Sequence, residues 1–255
     1  MSTSAQRAVA LSQRQRSLDV GFATSFAEIR EAQRLRYQVF AGEMGAHLHT
    51  PLPGLDYDRF DGYCRHLLVR DSATGQVVGY TRLLTAEQAQ QAGGFYSQTE
   101  FDIRPILQLP GRFMEVGRTC IHPDYRNGAT IATLWSGVAA FIVEQGFDYL
   151  IGCPSIPLGE NYREAYAIYT SLAPRHLIAA AWQVQPHIPL PPTDVTPYPE
   201  KVSLPPLLKA YLRLGVKICG EPYLDSDFQV ADLFILLPTR EIDHRYARHF
   251  LGQTA

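Results

Sequence analysis

The chain reads as an α/β fold. Three features carry that reading: short apolar segments divided by turn residues, amphipathic stretches of helical spacing interleaved with them, and no internal repeat or low-complexity linker in 255 residues. With 46% hydrophobic and 19% charged residues, the composition is that of a globular protein able to bury a sizeable core.

The elements follow in order. Residues 1–20 are polar, with Arg7, Arg14 and Arg16 against Asp19, and read as a flexible N-terminal arm; 21–255 reads as one domain. Ser25 and Glu28 have the spacing of a capping box, in which each side chain satisfies the other's free backbone N–H. Ile29, Ala32, Leu35 and Val39 then recur at helical spacing to about Ala41. Gly42 to Tyr63, with Gly45, Pro51, Pro53 and Gly54, predicts a long loop of the kind that is usually functional. "HLLVRD" and "QVVGYTRLL", joined by Ser72-Ala73-Thr74-Gly75, predict an antiparallel hairpin.

"RFMEVGRTCI" is the next strand. From Ala129, the residues Ile131, Leu134, Trp135, Val138, Phe141 and Ile142 mark one face of a helix that Gly146 stops. "DYLIGC" predicts a buried strand and "NYREAYAIYTSL" a helix with Pro174 after it. The segment 186–206 is too proline-dense for a central strand or a helix. "PPLLKAYLRLG" opens on proline and closes on glycine, as helices do; "DLFILLP" follows as a strand and "REIDHRYARHFL" as a terminal helix.

Several function classes fall away at this level. A net charge of −2 argues against a general nucleic-acid binder, which needs excess Lys and Arg to neutralise phosphates. No apolar run has membrane-spanning length, and the N-terminus lacks the apolar core of a secretion signal. Cys64, Cys120, Cys153 and Cys219 show no paired spacing, which suits reduced thiols in the cytoplasm. His47, His49, Cys64 and His66 are zinc-ligand types, but their spacing matches no zinc pattern, so no metal is expected. Cys120 has no histidine at a spacing that would make it a nucleophile.

The charged residues inside the apolar strand are the first candidates for chemistry. Glu115 and Arg118 are three residues apart, which on a flat strand places them on opposite faces. A bulge at Gly117 would add a residue and bring both to one face; the alternative is a structural ion pair. Directly after the strand, Arg126, Gly128 and Ala129 open a helix. The first N–H groups of a helix carry the positive dipole end and bind phosphate.

Strand, Arg126-x-Gly128-Ala129, helix and strand in that order resemble the cofactor-binding core of the GNAT acyltransferases. The likeness is to their acyl-carrier-protein-dependent branch, which holds ornithine N-acyltransferases, N-acyl amino acid synthases and acyl-homoserine-lactone synthases. It rests on "LRYQVF" with Arg36 and Phe40, "DYDRFD" with Asp58 and Asp61, Arg82 in "YTRLL", Phe101 in "FYSQTEFDI", and Glu115 and Arg118 in "EVGR". The C-terminal stretch from Pro205 to Leu237 resembles the ornithine group in particular.

The resemblance implies a GNAT-like fold, a mixed and mostly antiparallel sheet flanked by helices, with a C-terminal extension. It implies transfer of a fatty acyl group to an amino-acid α-amine. Ornithine leads as acceptor, giving lyso-ornithine lipid; another amino acid, or acetyl transfer from acetyl-CoA, are the rivals. The second glycine turn of acetyl-CoA enzymes is missing after Arg126, which points to phosphopantetheine on acyl carrier protein as the donor and to no permanently bound cofactor. Partners are then acyl carrier protein and an amino acid, with peripheral contact at the inner membrane surface allowed for. Glu115 is the candidate base, with the tetrahedral oxyanion held by N–H groups near Gly117 and Tyr166 or Tyr169 as a proton source for the thiolate. Arg36, Asp58, Asp61 and Arg82 would form a polar acceptor pocket, since arginine grips carboxylates and aspartate pairs with ammonium. Phe40, Phe101 and Trp135 are expected walls for the acyl chain.

Overall fold

A computed structural model describes residues 17–193 and 202–241. In chain order its strands are β1 (Leu18–Phe22), β2 (Arg65–Asp71), β3 (Val77–Thr85), β4 (Phe101–Asp102), β5 (Phe113–Ile121), β6 (Tyr149–Gly152), β7 (Ser155–Pro157), β8 (Gln185–Pro186), β9 (Lys217–Ile218), β10 (Tyr223–Asp225), β11 (Val230–Asp232) and β12 (Ile235–Pro238). The helices are α1 (Phe26–Tyr37), α2 (Ala86–Ala92), α3 (Gly128–Gln145), α4 (Arg163–His176) and α5 (Pro206–Leu214). Seven strands form the main sheet in the order β1-β2-β3-β5-β6-β12-β9. Only the β5–β6 pair in it is parallel; the remaining pairs are antiparallel. The expected mixed, mostly antiparallel α/β architecture is what the chain adopts. A second sheet, β10-β11-β7, stands beside it.

Strand alternation divides the core. Leu67 and Val69 of β2 face one way and pack with Leu134 and Val138 of α3, while Leu68 and Tyr80 face the other way and pack with Ala32 and Leu35 of α1. Both sheet faces are therefore covered, and β2 and β3 read as near-continuous apolar runs with buried exceptions at His66, Asp71, Thr81 and Arg82. Helix α1 starts at the capping box the sequence contains: Ser25 accepts from the Glu28 N–H, and the Glu28 carboxylate accepts from the Ser25 N–H. Its end widens into a π-turn, Gln38–Glu43, that carries Phe40 and Glu43 towards β5.

Some expectations need correction. The chain is already a strand at Leu18, paired antiparallel to β2, so the arm cannot extend to residue 20; residues 1–16 lie outside the described part. Pro174 is inside α4, in its last turn, rather than after it. The terminal helix expected over 240–251 lies outside the described residues beyond the short turn Thr239–Glu241. At the start of the proline-dense segment, β8 pairs with β4, and 194–201 are not described.

Candidate active site

A bulge in β5 builds the site. Against β3, Gly117 lies opposite Arg82 and Cys120 opposite Tyr80, so Arg118 and Thr119 together face the single residue Thr81. The extra residue is Arg118, whose φ of +53° puts a non-glycine residue in the left-handed region. The sequence places the bulge at Gly117; it falls one residue later. Its effect is the expected one: Thr119 keeps the opposite face, its hydroxyl 2.8 Å from that of Thr81, and Arg118 comes round to the face of Glu115.

Arg118 does not pair with Glu115. The Glu115 carboxylate is buried and accepts backbone N–H groups from Tyr96 at 2.6 Å and Ser97 at 2.8 Å. Burial raises its pKa; these two hydrogen bonds and the charge of Arg82 oppose the rise without cancelling it. Arg118 instead lies over the Tyr96 ring at 5.0 Å and within ion-pair distance of Asp56 and Asp58, at 3.4 and 3.5 Å.

The loop between α1 and β2 supplies three aspartates to three arginines. Arg36 pairs with Asp56 at 2.8 Å and Asp61 at 2.7 Å; Arg82 pairs with Asp58 at 2.7 Å and Asp61 at 2.9 Å. With Arg118 the set balances, three cations against three anions. Burial pushes the Asp58 and Asp61 carboxyls up, but the arginines outweigh it and hold both below the usual carboxylate range. His66 stays in contact through its ring nitrogens, 2.7 Å from the Tyr80 hydroxyl and 2.9 Å from the Asp61 carbonyl, and burial lowers its pKa. Arg36, Asp58, Asp61 and Arg82 do converge, then, but on one another. Of the four, only Arg82 also lines the cavity beside them, and Asp61 is 4% exposed.

That cavity, about 140 Å³, opens where β5 and β6 part company. Their ladder ends at Glu115 opposite Ile151; beyond it β6 runs into β7 of the second sheet, while β5 stays with β3. At the fork a Cβ on Gly152 would lie 2.6 Å from the Val116 carbonyl, so only glycine fits. From β5 it is lined by Glu115 and Arg118 on one face of the strand and Thr119 on the other, and from the chain after β6 by Cys153. Phe40, Trp135, Leu207, Tyr211 and Phe228 make an apolar wall. Phe40 and Trp135 therefore line the cavity, whereas Phe101 does not: it is 1% exposed in a separate core cluster with Phe234. Tyr166 and Tyr169 also stay away from the cavity, and the Tyr166 hydroxyl donates to the carbonyls of Leu190 and Pro191. Cys120 is buried away from the cavity lining, and burial pushes its thiol up to about 12.

Sequence reasoning missed the far end of this cavity. Glu100, Asp225 and Asp232 all line it, with carboxylate oxygens within 4.8 Å of one another. The signal was present in "QVADLFILL", where an acid interrupts an apolar run, as Glu115 does in β5.

At the other end, α3 begins with Asn127 as N-cap. Its side-chain oxygen accepts from the N–H groups of Ala129 at 3.0 Å and Thr130 at 3.1 Å. The Ala129 donor is therefore occupied, so phosphate bound there would have to displace the cap. Arg126 forms a two-pronged ion pair with Glu43 at the surface. The four cysteines are free, and among the described residues no helix is long and apolar enough to cross a membrane. Of the four zinc-ligand types, His66 is committed to Tyr80 and Asp61, and the four do not gather; His47 and His49 lie instead beside Asp227.

A parted parallel strand pair, a bulge that carries a cation, and a buried carboxylate at the fork define an N-acyltransferase of the GNAT type. Residues 35–136 match the family model described as an acetyltransferase (GNAT) domain. The fold is shared with an N-acyl amino acid synthase from uncultured soil microbes (TM-score 0.53, 12% identity, 89% of this chain and 93% of that one). It is also shared with a CoA-dependent acyl-homoserine lactone synthase (TM-score 0.54, 16% identity, 92% and 90%). Relatives at higher identity narrow the class. The L-ornithine N(alpha)-acyltransferase of Rhizobium meliloti is 37% identical over 92% of this chain and 84% of its own length, and that of Brucella abortus 38% over 92% and 89%. The chain belongs to the L-ornithine N(alpha)-acyltransferase family.

Proposed function

We propose that the protein transfers a fatty acyl group from the phosphopantetheine thioester of acyl carrier protein to the α-amine of ornithine, giving lyso-ornithine lipid. The observation that carries this is similarity to proteins of that name over nearly the whole of both chains, including the C-terminal strands that complete the cavity. The geometry supplies the roles. The acceptor must lose a proton before its nitrogen can attack; Glu115, with a raised pKa and an open side to the cavity, takes it directly or through water. The C–N bond forms as the C–S bond breaks, and the thiolate leaves with a proton. Beyond Glu115 the edge of β5 released by β6 would supply the N–H groups that hold the oxyanion. The apolar wall around Trp135 and Leu207 takes the acyl chain. The lipid product is the reason to expect peripheral membrane contact.

Purified protein with ornithine and either acyl carrier protein or CoA carrying the same long acyl chain tests this, with products read by mass spectrometry. Nα-acyl-ornithine should form, faster from the carrier protein, and Arg126→Ala should raise the KM for the carrier alone, which is an acidic partner. Equal rates with both donors would refute the carrier assignment. An acyl-glycine or acyl-tyrosine product dominating an equal mixture of acceptors would refute the ornithine assignment.

A further inference from the structure

Three carboxylates from separate segments meet at the far end of the cavity: Glu100 after the turn that follows α2, Asp225 at the end of β10 and Asp232 at the end of β11. Glu100 and Asp232 are 3% and 4% exposed. Burying acids so close together without a cation is costly, yet Glu100 Oε2 and Asp232 Oδ1 are both buried with no hydrogen-bond partner. Both residues line the cavity that holds Glu115 and Arg118. By contrast Asp58 and Asp61, the acids expected to bind ammonium, are already matched to Arg36 and Arg82. The anions left to bind a ligand are the ones at the far end.

We infer that Glu100, Asp225 and Asp232 hold the side-chain ammonium of a dibasic acceptor, while Arg118, at the bulge, receives its carboxylate. This rests on the acceptor reading proposed above and adds the residues that enforce it. An ammonium has three N–H donors, one for each carboxylate. Arg118 Nε is also buried with no hydrogen bond, 3.4 Å from Asp56, so the cavity offers open acceptors at one end and a loosely paired cation nearer Glu115. A molecule with an α-amino acid head and a distal ammonium satisfies both ends at once. Anchoring the distal nitrogen among the acids also keeps it from the thioester and leaves the α-amine to attack, so the same three residues would set which nitrogen is acylated. Without a ligand, burial and mutual repulsion raise the pKa of Glu100 and Asp232, which is the response of acids awaiting a cation.

The test compares ornithine with norvaline, which has the same carbon chain and no distal amine. Wild-type kcat/KM should favour ornithine by on the order of a hundredfold or more, because norvaline leaves buried acids unpaired. Glu100→Gln and Asp232→Asn should bring that ratio down at least about tenfold, mainly through the KM for ornithine, and fragment spectra should show Nδ-acyl product appearing. Both are close in shape and remove repulsion, so thermal melting should show them folded. A wild type that prefers ornithine, with a ratio unmoved in both folded variants, would overturn the assignment of these residues while sparing the acceptor. A wild type with no preference would overturn both. Stoichiometric binding of Mg²⁺ or Ca²⁺ by the wild type that Asp232→Asn abolishes would make this a metal site and overturn the ammonium assignment.

Discussion

Asp61→Asn should unfold this protein far more readily than it alters acceptor choice. The Asp61 carboxylate accepts from Arg36 at 2.7 Å, Arg82 at 2.9 Å and Gln33 at 3.1 Å, with its side chain 2% exposed. Asparagine keeps the shape but leaves three buried arginines facing two aspartates, and its amide nitrogen would be turned against at least one donor. Removing one partner of a buried pair costs roughly 3–5 kcal/mol, because the other charge stays buried. At about 2–4 °C per kcal/mol for a domain of this size, Tm should fall by about 6–20 °C. Arg36→Met alone should be similarly harmful, but the double variant, neutral again, should lose much less than the sum of the two. Thermal and urea unfolding of the four proteins decide it. A stable Asp61→Asn protein, within about 1 kcal/mol of wild type, whose ornithine preference has changed would refute the reasoning and return Asp61 to the acceptor pocket.

Three further outcomes follow from the same geometry. Glu115→Gln should lower kcat on the order of a hundredfold; it should also cost about 1–3 kcal/mol, because the amide must turn an N–H towards the N–H of Tyr96 or Ser97, so activity must be compared at equal folded concentration. Leu207→Trp narrows the apolar wall and should shift the preferred acyl chain shorter, measured over a series of chain lengths in which each buried CH₂ contributes about 0.8 kcal/mol. For Asp232, pushed up to about 7 from 3.8, the unfolded chain releases the proton first. Wild-type stability should therefore fall as pH rises between those values, and Asp232→Asn should flatten that fall and melt higher at pH 8; identical pH–stability curves would contradict it.

What the sequence disclosed was local, and what it concealed was pairing. The hairpin of β2 and β3, the Ser25 capping box and the glycine ends of α3 and α5 are written within a few residues, and each is found where expected. Glu115 and Arg118 are visible because charge inside an apolar strand demands a reason. Strands β9, β10 and β11 have two or three residues each, too short for any periodicity to show. Asp58 and Asp61 read as ligand-binding acids because residue type does not reveal that Arg36 and Arg82, 21 to 25 residues away, neutralise them first. Phe101 was misplaced for a like reason: an aromatic suits a groove and a core equally well, and only its neighbours decide.

The bulge at Arg118 makes the site depend on counting. From Phe113 to Gly117, odd-numbered residues of β5 share the face of Glu115; after the bulge the parity reverses, and Cys120 takes that face. Deleting Thr119 would restore an unbroken ladder with Cys120 still opposite Tyr80, yet it would turn Arg118 to the far side. In this chain the count of residues along one strand, as much as their chemistry, decides whether the cleft holds that cation.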